Sequence, residues 1–143
     1  MTAKEELSQY KYAVKKVEKA LEEYQKFQER ATKMNTVISK APQRSNLNSD
    51  KVGDNASAMA DIEKEYIERW LNAEREKSRL EDRINEITKE PHRTILHARY
   101  LEIKEDNTLK DFDEIADEIG YSYSQTTTFH GEALKMYEEK FLS

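Results

Sequence analysis

Hydrogen-bonding side chains are concentrated between residues 123 and 130, near the C-terminal end of the chain. They carry hydroxyl, amide or imidazole groups and belong to Tyr123, Ser124, Gln125, Thr127, Thr128 and His130. Such groups can bond to base edges in the DNA major groove, and hydroxyls can also bond to phosphate oxygens. The amide of Gln125 suits adenine, and threonine methyl groups suit the methyl group of thymine. These six residues are therefore our candidates for contacting DNA.

Catalytic or metal-binding chemistry is not predicted for the three histidines. His92 and His97 lie five positions apart, whereas side chains that share one helix face lie three or four apart. The sequence contains no phosphate-binding loop, no zinc-binding His-Glu motif and no nucleophile elbow. It also has no cysteine, which excludes disulfides, thiolate ligands and cysteine nucleophiles. We expect neither an enzyme nor a bound cofactor or metal.

Two short helices must position the candidate residues. Asp111 can cap the first helix, and Glu114 stands where its side chain can complete a capping box. Gly120 is placed to end that helix in a left-handed conformation, which costs glycine little. The apolar face of this helix consists of Phe112, Ile115, Ala116 and Ile119.

The second helix is predicted over residues 123–141 and carries the candidates on its first turns. Ser122 can cap it, with Gln125 in the reciprocal position, and its apolar face consists of Thr126, Phe129, Ala133, Leu134, Tyr137 and Phe141. Two helices joined by about four residues with a glycine are typical of a helix-turn-helix, whose second helix enters the major groove. The same pattern also fits an αα-corner without a DNA role, in which Ser122 and Gln125 serve only as caps.

The composition indicates an all-α chain. Of its 143 residues, 37% are charged and 36% are hydrophobic, and there are 3 glycines and 2 prolines, which favours helices. No apolar run reaches the length of a transmembrane helix, about 18 residues or more. The charged N-terminal segment lacks an apolar export signal. We expect a cytoplasmic protein without a membrane contact.

Residues 1–90 are predicted to form an antiparallel helical hairpin with a coiled-coil-like seam. Helices are expected over residues 3–34 and 56–90, because apolar residues recur there at spacings of three and four. The seam consists of Leu7, Tyr10, Val14, Val17, Leu21, Tyr24, Phe27, Ala31 and Met34, then Met59, Ile62, Tyr66, Trp70, Ala73, Leu80, Ile84 and Ile87. One hairpin buries little area, so we expect a homodimer built as a four-helix bundle. The same seams could instead pair between chains.

Residues 35–55 contain Pro42, Gly53 and many Ser, Asn and Asp residues, which predict a long loop between the two helices. Residues 30–51 are also basic, since they hold five Lys and Arg against one Asp. Such a loop could touch the DNA backbone, or it could be a solvated linker.

Residues 91–143 are predicted to form a second domain of three helices. Pro91 can occupy the first turn of a helix over residues 91–101, where its missing amide hydrogen costs nothing. A polar connection then leads to the helix-turn-helix. Residues 92–143 hold six Lys and Arg and eleven Asp and Glu, a net charge of −5. This acidity opposes strong nonspecific binding to phosphates, which depends on Lys and Arg, but it does not exclude binding to a specific DNA site.

Several segments of this domain resemble region four of bacterial sigma factors. They are Arg93-Thr94-Ile95-Leu96, Arg99-Tyr100-Leu101-Glu102, the residues from Glu114 to Ser122, and His130-Gly131-Glu132-Ala133-Leu134. Over nearly the whole chain, a long helical part followed by such a module is similar to phage- and prophage-associated sigma-like regulators of Gram-positive bacteria. The resemblance implies a helix-turn-helix domain, a role in transcription, often of late genes, and contacts with duplex DNA and RNA polymerase.

One feature departs from the sigma-factor pattern. Sigma factors carry Arg, Glu and Gln early in the recognition helix, whereas the second helix of this chain has no Arg or Lys before Lys135. Arginine contacts to guanine are therefore excluded from its first turns.

Two functions from different classes follow from these observations. The first is a DNA-binding transcriptional regulator that dimerises or contacts partners through the N-terminal hairpin. The second is a protein-interaction module that binds RNA polymerase or another regulator and has little DNA affinity of its own. A structural phage protein built on the coiled coil is a further alternative.

Overall fold

The computed structural model describes the backbone of residues 1–40 and 45–143 and the side chains of residues 1–33 and 56–143. These residues are mostly helical and contain no strand, which confirms the all-α class. The helices are α1 (Ala3–Leu7), α2 (Gln9–Lys40), α3 (Ser45–Asn85), α4 (Glu90–Tyr100), α5 (Phe112–Ile119) and α6 (Tyr123–Tyr137), and a π-helical turn (Glu138–Leu142) follows α6. Within the same residues, no helix is long and apolar enough to cross a membrane.

The described helices form two compact units. The first unit contains Met1–Lys15 and Asn72–Ser143, and the second unit contains Lys16–Leu71. This grouping differs from the predicted boundary between residues 90 and 91. The beginning of the chain and the end of α3 belong with the C-terminal helices that carry the candidate residues.

Ser8 interrupts the single helix that was predicted over residues 3–34. Its amide and its hydroxyl both donate to the carbonyl of Lys4, the hydroxyl at 2.6 Å. A serine hydroxyl that bonds to nearby backbone competes with the regular helical hydrogen bonds. The prediction of one continuous helix was therefore wrong at Ser8, and α2 then runs on to Lys40.

The long loop predicted over residues 35–55 is helical at both of its ends. α2 continues through residues 35–40, and α3 begins at Ser45, so the prediction was wrong there. A glycine inside a helix costs only about 1 kcal/mol, so Gly53 and its polar neighbours do not prevent one. The central part of the predicted loop, residues 41–44, lies outside the described residues. So do the side chains of residues 34–55, and a contact of this basic segment with DNA stays a prediction.

The turn between α3 and α4 comes earlier than the sequence predicted. α3 ends at Asn85 rather than at residue 90. Arg93 of α4 reaches back and donates to the carbonyl of Ile87 at 2.7 Å, which holds the turn. Pro91 lies in the first turn of α4 as predicted, where its missing amide hydrogen breaks no helical hydrogen bond.

Two apolar clusters hold the first unit together. The larger combines the beginning of the chain with α3, α4 and α6, and its buried members are Ala3, Leu7, Leu80, Ile84, Ile87, Leu96, Tyr100, Leu101, Ala133 and Tyr137. The smaller joins α4 to α5, and its buried members are Ile95, Ala98 and Ile115. Since α4 contributes to both clusters, it fixes the positions of α5 and α6.

A buried carboxylate ties the beginning of the chain to α3. The side chain of Glu6 is 7% exposed, and its Oε1 accepts hydrogen bonds from Arg79, at 2.7 Å, and from Arg83. The amide of Ala3 donates to Oε1 of Glu138 at 3.0 Å, just beyond the end of α6. The first helix is therefore attached both to α3 and to the C-terminal turn.

The described side chains of the second unit, those of residues 16–33 and 56–71, form little buried interior. Arg69 of α3 donates to the carbonyl of Lys16 in α2 at 3.0 Å, and the rings of Tyr24 and Tyr66 stack with their centroids 6.5 Å apart. These contacts follow an antiparallel order, since the later residue of α2 meets the earlier residue of α3. Among the described side chains of this unit, only that of Ala20 is buried.

Replacement of Glu6 by glutamine should lower the free energy of unfolding by about 2 kcal/mol. The loss is smaller than for a fully buried pair, because the side chains of Arg79 and Arg83 are 38% and 33% exposed. Glutamine keeps the volume of the side chain and leaves both guanidinium groups without their shared anion. Equilibrium urea unfolding followed by far-UV circular dichroism measures the difference.

The matched control is Glu65→Gln. This change removes the partner of Arg69 from a surface pair whose side chains are 51% and 30% exposed. It should cost less than about 1 kcal/mol. Equal losses in the two variants would contradict the role assigned to Glu6.

Candidate nucleic-acid interface

The beginning of α5 is fixed by the predicted cap. Oδ1 of Asp111 accepts a hydrogen bond from the amide of Glu114 at 2.9 Å. The reciprocal half of the predicted capping box is replaced by an ion pair, because the carboxylate of Glu114 lies 2.7 Å from Nζ of Lys104. The cap prediction was therefore right for Asp111 and wrong for Glu114.

The turn between α5 and α6 consists of residues 120–122. Gly120 has φ 78° and ψ 22°, the left-handed conformation predicted for it, and its amide donates to the carbonyl of Ala116 at 3.0 Å. Ser122 then caps α6, since its hydroxyl accepts from the amide of Gln125 at 3.1 Å. Local chemistry thus sets where α6 begins and in which direction it leaves the turn.

One face of α6 is buried against α4 and α5. Thr126, Ala133 and Tyr137 are buried, and Phe129 packs against the smaller apolar cluster. The hydroxyl of Thr126 is satisfied inside this face, because it donates to the carbonyl of Ser122 at 2.8 Å. α6 ends at Tyr137 rather than at the predicted residue 141. The opposite face of the helix is left open to solvent.

Four of the six candidate residues lie on the exposed beginning of α6. Tyr123 is 54% exposed, and Ser124, Gln125 and Thr128 are exposed as well. Thr127 is half-buried at the edge of the helix. The hydroxyls of Thr127 and Thr128 both donate to the carbonyl of Ser124 at 2.9 Å. Their oxygen atoms keep lone pairs with which they can still accept hydrogen bonds.

His130 is separated from the other candidates. Its Nε2 lies 2.9 Å from the hydroxyl of Tyr100, and its ring centroid lies 4.8 Å from that of Phe112. Burial, together with the positive charges of Arg99 and Lys4, lowers the pKa of His130 to about 4. His130 therefore packs between α4, α5 and α6 instead of lying beside the exposed candidates, and its contact with DNA stays a prediction.

The other two histidines bond to carboxylates from other parts of the chain. His92 is buried, and its Nε2 lies 2.8 Å from Glu132. The ring of His97 lies between Glu102, at 2.9 Å, and Glu81, at 3.1 Å. Burial lowers the pKa of His97, but the hydrogen bonds to the two glutamates outweigh it, so the pKa is raised overall. Sequence spacing could not reveal these pairs, because most of the partners lie on other helices.

Basic side chains near α5 are engaged in contacts within the first unit. Lys110 lies 3.1 Å from Glu102 and 3.0 Å from Glu118. Arg99 donates to the carbonyl of Lys110 and lies over the ring of Phe112. These cations are therefore committed to the connection between α4 and α5. The first two turns of α6, by contrast, carry no charged side chain.

No group of three or more histidine, aspartate and glutamate side chains could hold a metal ion within the part of the chain that the structure describes. Comparisons of the chain with protein-family models, with curated proteins and with solved structures find no match.

Alanine at the two glycines of this region should have opposite effects on stability. Gly120→Ala should cost about 1 kcal/mol, because a Cβ is strained at its positive φ. Gly131→Ala should add about 0.5–1 kcal/mol, because Gly131 lies inside α6 and a Cβ there meets no atom within 4 Å. Thermal unfolding measures both, and shifts of the same sign would contradict the assigned backbone conformations.

His130 should make the protein less stable as the pH falls from about 6.5 towards about 4. Its folded pKa of about 4 lies below the ordinary value of 6.5, so in this range the unfolded chain binds a proton that the folded chain does not. Compared with His130→Gln, the wild type should lose about 1 kcal/mol more between pH 6.5 and 4.5, a value reduced for solvent screening of a partly exposed ring. Urea unfolding at a series of pH values measures this difference.

His97→Gln provides the control of opposite sign. Because the folded pKa of His97 is raised, its contribution to stability is present below its ordinary pKa of 6.5 and is lost as the pH rises through the folded pKa. Removal of His97 should therefore flatten the pH profile above 6.5 and leave the loss at acidic pH. An acidic loss that His130→Gln leaves unchanged would contradict the assignment.

Proposed function

We propose that this chain is a DNA-binding transcriptional regulator that contacts duplex DNA through the beginning of α6. The observation that supports this is the exposure of Ser124, Gln125 and Thr128 on a helix whose opposite face is buried. A fixed helix that offers hydrogen-bonding groups on one open face is the element that helix-turn-helix proteins insert into the major groove.

The spacing along α6 favours entry into a groove. Ser124, Thr128, Gly131 and Lys135 recur at intervals of three and four and so share one face, with Gln125 beside them. All five positions are exposed. Gly131 has no side chain, so the helix backbone can approach a DNA strand closely there. Lys135 can then neutralise a phosphate further along the helix.

The chemistry of this face predicts the kind of site that it selects. Gln125 can bond to adenine through both ends of its amide, and the methyl group of Thr128 can contact the methyl group of thymine. No Arg or Lys precedes Lys135 in α6, so contacts to guanine are disfavoured. We therefore expect a site rich in A·T pairs and a shallow dependence of affinity on salt concentration, because few phosphates are neutralised.

The sequence resemblance supports the remaining parts of the proposal. Residues 93–134 resemble region four of sigma factors, which favours a sigma-like regulator of phage or prophage origin that acts in the cytoplasm and contacts RNA polymerase. We assign the second unit, Lys16–Leu71, to dimerisation or to contact with a partner. Its half-buried seam residues give it a surface suited to helix packing.

A protein-interaction module is the second candidate function. It is favoured by the net charge of −5 on residues 92–143. It is also favoured by Tyr121 in the turn and Tyr123 at the beginning of α6, which are 37% and 54% exposed, because tyrosine is enriched at protein interfaces. In this alternative, the exposed Asp113 and Asp117 of α5 and the two tyrosines bind RNA polymerase or another regulator, and α6 contacts no DNA.

Selection from a random duplex library at two salt concentrations separates the two functions. Enrichment of one sequence family supports the regulator, and its preference for A·T pairs can be read directly from the selected sites. A library without enrichment at low salt, together with recovery of RNA polymerase in a pull-down, would instead establish the interaction module.

Gln125→Ala should weaken binding to the selected site about tenfold, the effect of losing one bidentate base contact. Binding to unrelated duplex DNA should not change, because the amide does not neutralise phosphates. The matched control is Gln28→Ala, which removes an exposed glutamine from α2 and should leave both affinities unchanged. Fluorescence anisotropy with labelled duplexes measures all of these values. An unchanged affinity of Gln125→Ala for the selected site would exclude direct reading by this residue.

A further inference from the structure

Three large apolar side chains are exposed together on α3 in the second unit. Ile67 is 48% exposed, Trp70 is 47% exposed and Leu71 is 40% exposed. Their spacing of three and four residues places them on one face of the helix. Single exposed apolar residues are common on protein surfaces, whereas several on one helix face form a larger apolar patch, and such patches are typical of interaction sites. We call these residues the Trp70 patch.

The interior of the second unit does not compensate for this exposure. Apart from Trp70, the large seam residues whose side chains are described are half-buried, and they include Val17, Leu21, Tyr24, Phe27, Ile62 and Tyr66. Among its described side chains, only the small side chain of Ala20 is buried. Most of the stability of a helix in a protein comes from packing of its apolar face. A pair of helices with open seams therefore requires a further layer.

The charge of the second unit allows a second copy of the same unit to form that further layer. Its described side chains comprise seven Lys and Arg and eight Asp and Glu, a net charge of −1. Both signs are interspersed along the helices, so two copies would not repel each other strongly. In contrast, residues 92–143 of each copy carry a net charge of −5. Self-association is therefore least opposed at the second unit.

The size of the unit also permits a dimer. Residues 16–33 of α2 and 56–71 of α3, whose side chains the structure describes, are each about 24–27 Å long at 1.5 Å per residue. Two packed helices present a face about 20 Å wide. One face of this part thus offers about 500 Å², so two copies would bury about 1,000 Å² in total, the lower bound for a specific interface.

We propose that a second copy of this chain docks on the Trp70 patch, so that two Lys16–Leu71 units form a four-helix bundle. The contact is isologous, the commonest arrangement in soluble oligomers, and the same patch lies on both copies. This inference deepens the partner assignment in the proposed function, because it names the partner and the surface. It does not depend on DNA binding.

Trp70 is the only tryptophan of the chain, so its fluorescence reports on the patch directly. Full-length protein without DNA is studied from about 0.1 to 100 μM, a range that spans common dimer affinities. Sedimentation velocity should show conversion from monomer to dimer. Over the same concentrations, the emission of Trp70 should move to shorter wavelength and its quenching by acrylamide should fall.

Leu71→Glu tests the location of the contact. A charge within the patch should weaken dimerisation at least about thirtyfold, the size of a hot-spot loss. Tyr12→Glu is the matched control, because it places the same charge at an apolar position that is 52% exposed in the first unit, and it should leave dimerisation unchanged. Equal weakening in both variants would overturn the assignment to the patch.

The wild-type measurement decides the inference even if Leu71→Glu fails to fold. A monomer at every concentration, or a dimer in which Trp70 stays as accessible to acrylamide as in the monomer, would overturn it. Because no DNA is present in this experiment, a dimer with a protected Trp70 would support the interface even if the DNA library yields no enriched sequence. If the library selects a sequence but the protein is monomeric, the proposed DNA-binding function is supported and the dimer interface is overturned.

Discussion

Glu6 places a carboxylate inside an apolar core, where a charge is tolerated only against cations. Arg79 and Arg83 of α3 supply those cations, and the neighbouring Leu7 enters the apolar cluster to which Tyr137 of α6 also belongs. The beginning of the chain, the end of α3 and the C-terminal half of α6 are thereby held together. Because α6 is one continuous helix, fixing its C-terminal half also fixes the direction of its exposed beginning. The candidate surface therefore depends on a contact made at the opposite end of the sequence.

Several positive charges of the first unit are paired with carboxylates of the same unit near α5. Lys110 bonds to Glu102 and Glu118, and Lys104 bonds to Glu114, so these ammonium groups stabilise the connection before α5 and the attachment of α5 itself. Their engagement removes positive charge that would otherwise attract phosphates. The first turns of α6 remain uncharged and rich in hydroxyl and amide groups. Any contact with DNA at this surface must therefore gain its free energy from hydrogen bonds and shape more than from charge.

Features set by neighbouring residues were predictable from the sequence, and those set by distant partners were not. Asp111, Gly120 and Ser122 fixed the bounds of α5 and the beginning of α6, because caps and left-handed turns depend on residues within about four positions. The exposure of most of the candidate residues also followed from helical periodicity. The separation of His130 from the other candidates did not follow from periodicity, because its ring bonds to Tyr100 on another helix. Glu6 was missed for a related reason. Periodicity shows that a face is covered, but it does not show which element covers it.

The two units differ in how much of their apolar surface is buried within a single chain. In the first unit, two clusters bury large apolar side chains against one another, whereas Tyr12, Tyr121 and Tyr123 stay exposed. In the second unit, most of the described seam residues stay half-buried, and Ile67, Leu71 and the predicted seam residue Trp70 are 40–48% exposed. Burial of apolar surface is the main favourable term in folding, and the entropy of ordering the chain opposes it. The second unit gains less free energy from apolar burial, but it still loses conformational entropy when its chain is ordered. Its stability should therefore rise with protein concentration if a second copy supplies the missing surface, whereas that of the first unit should not.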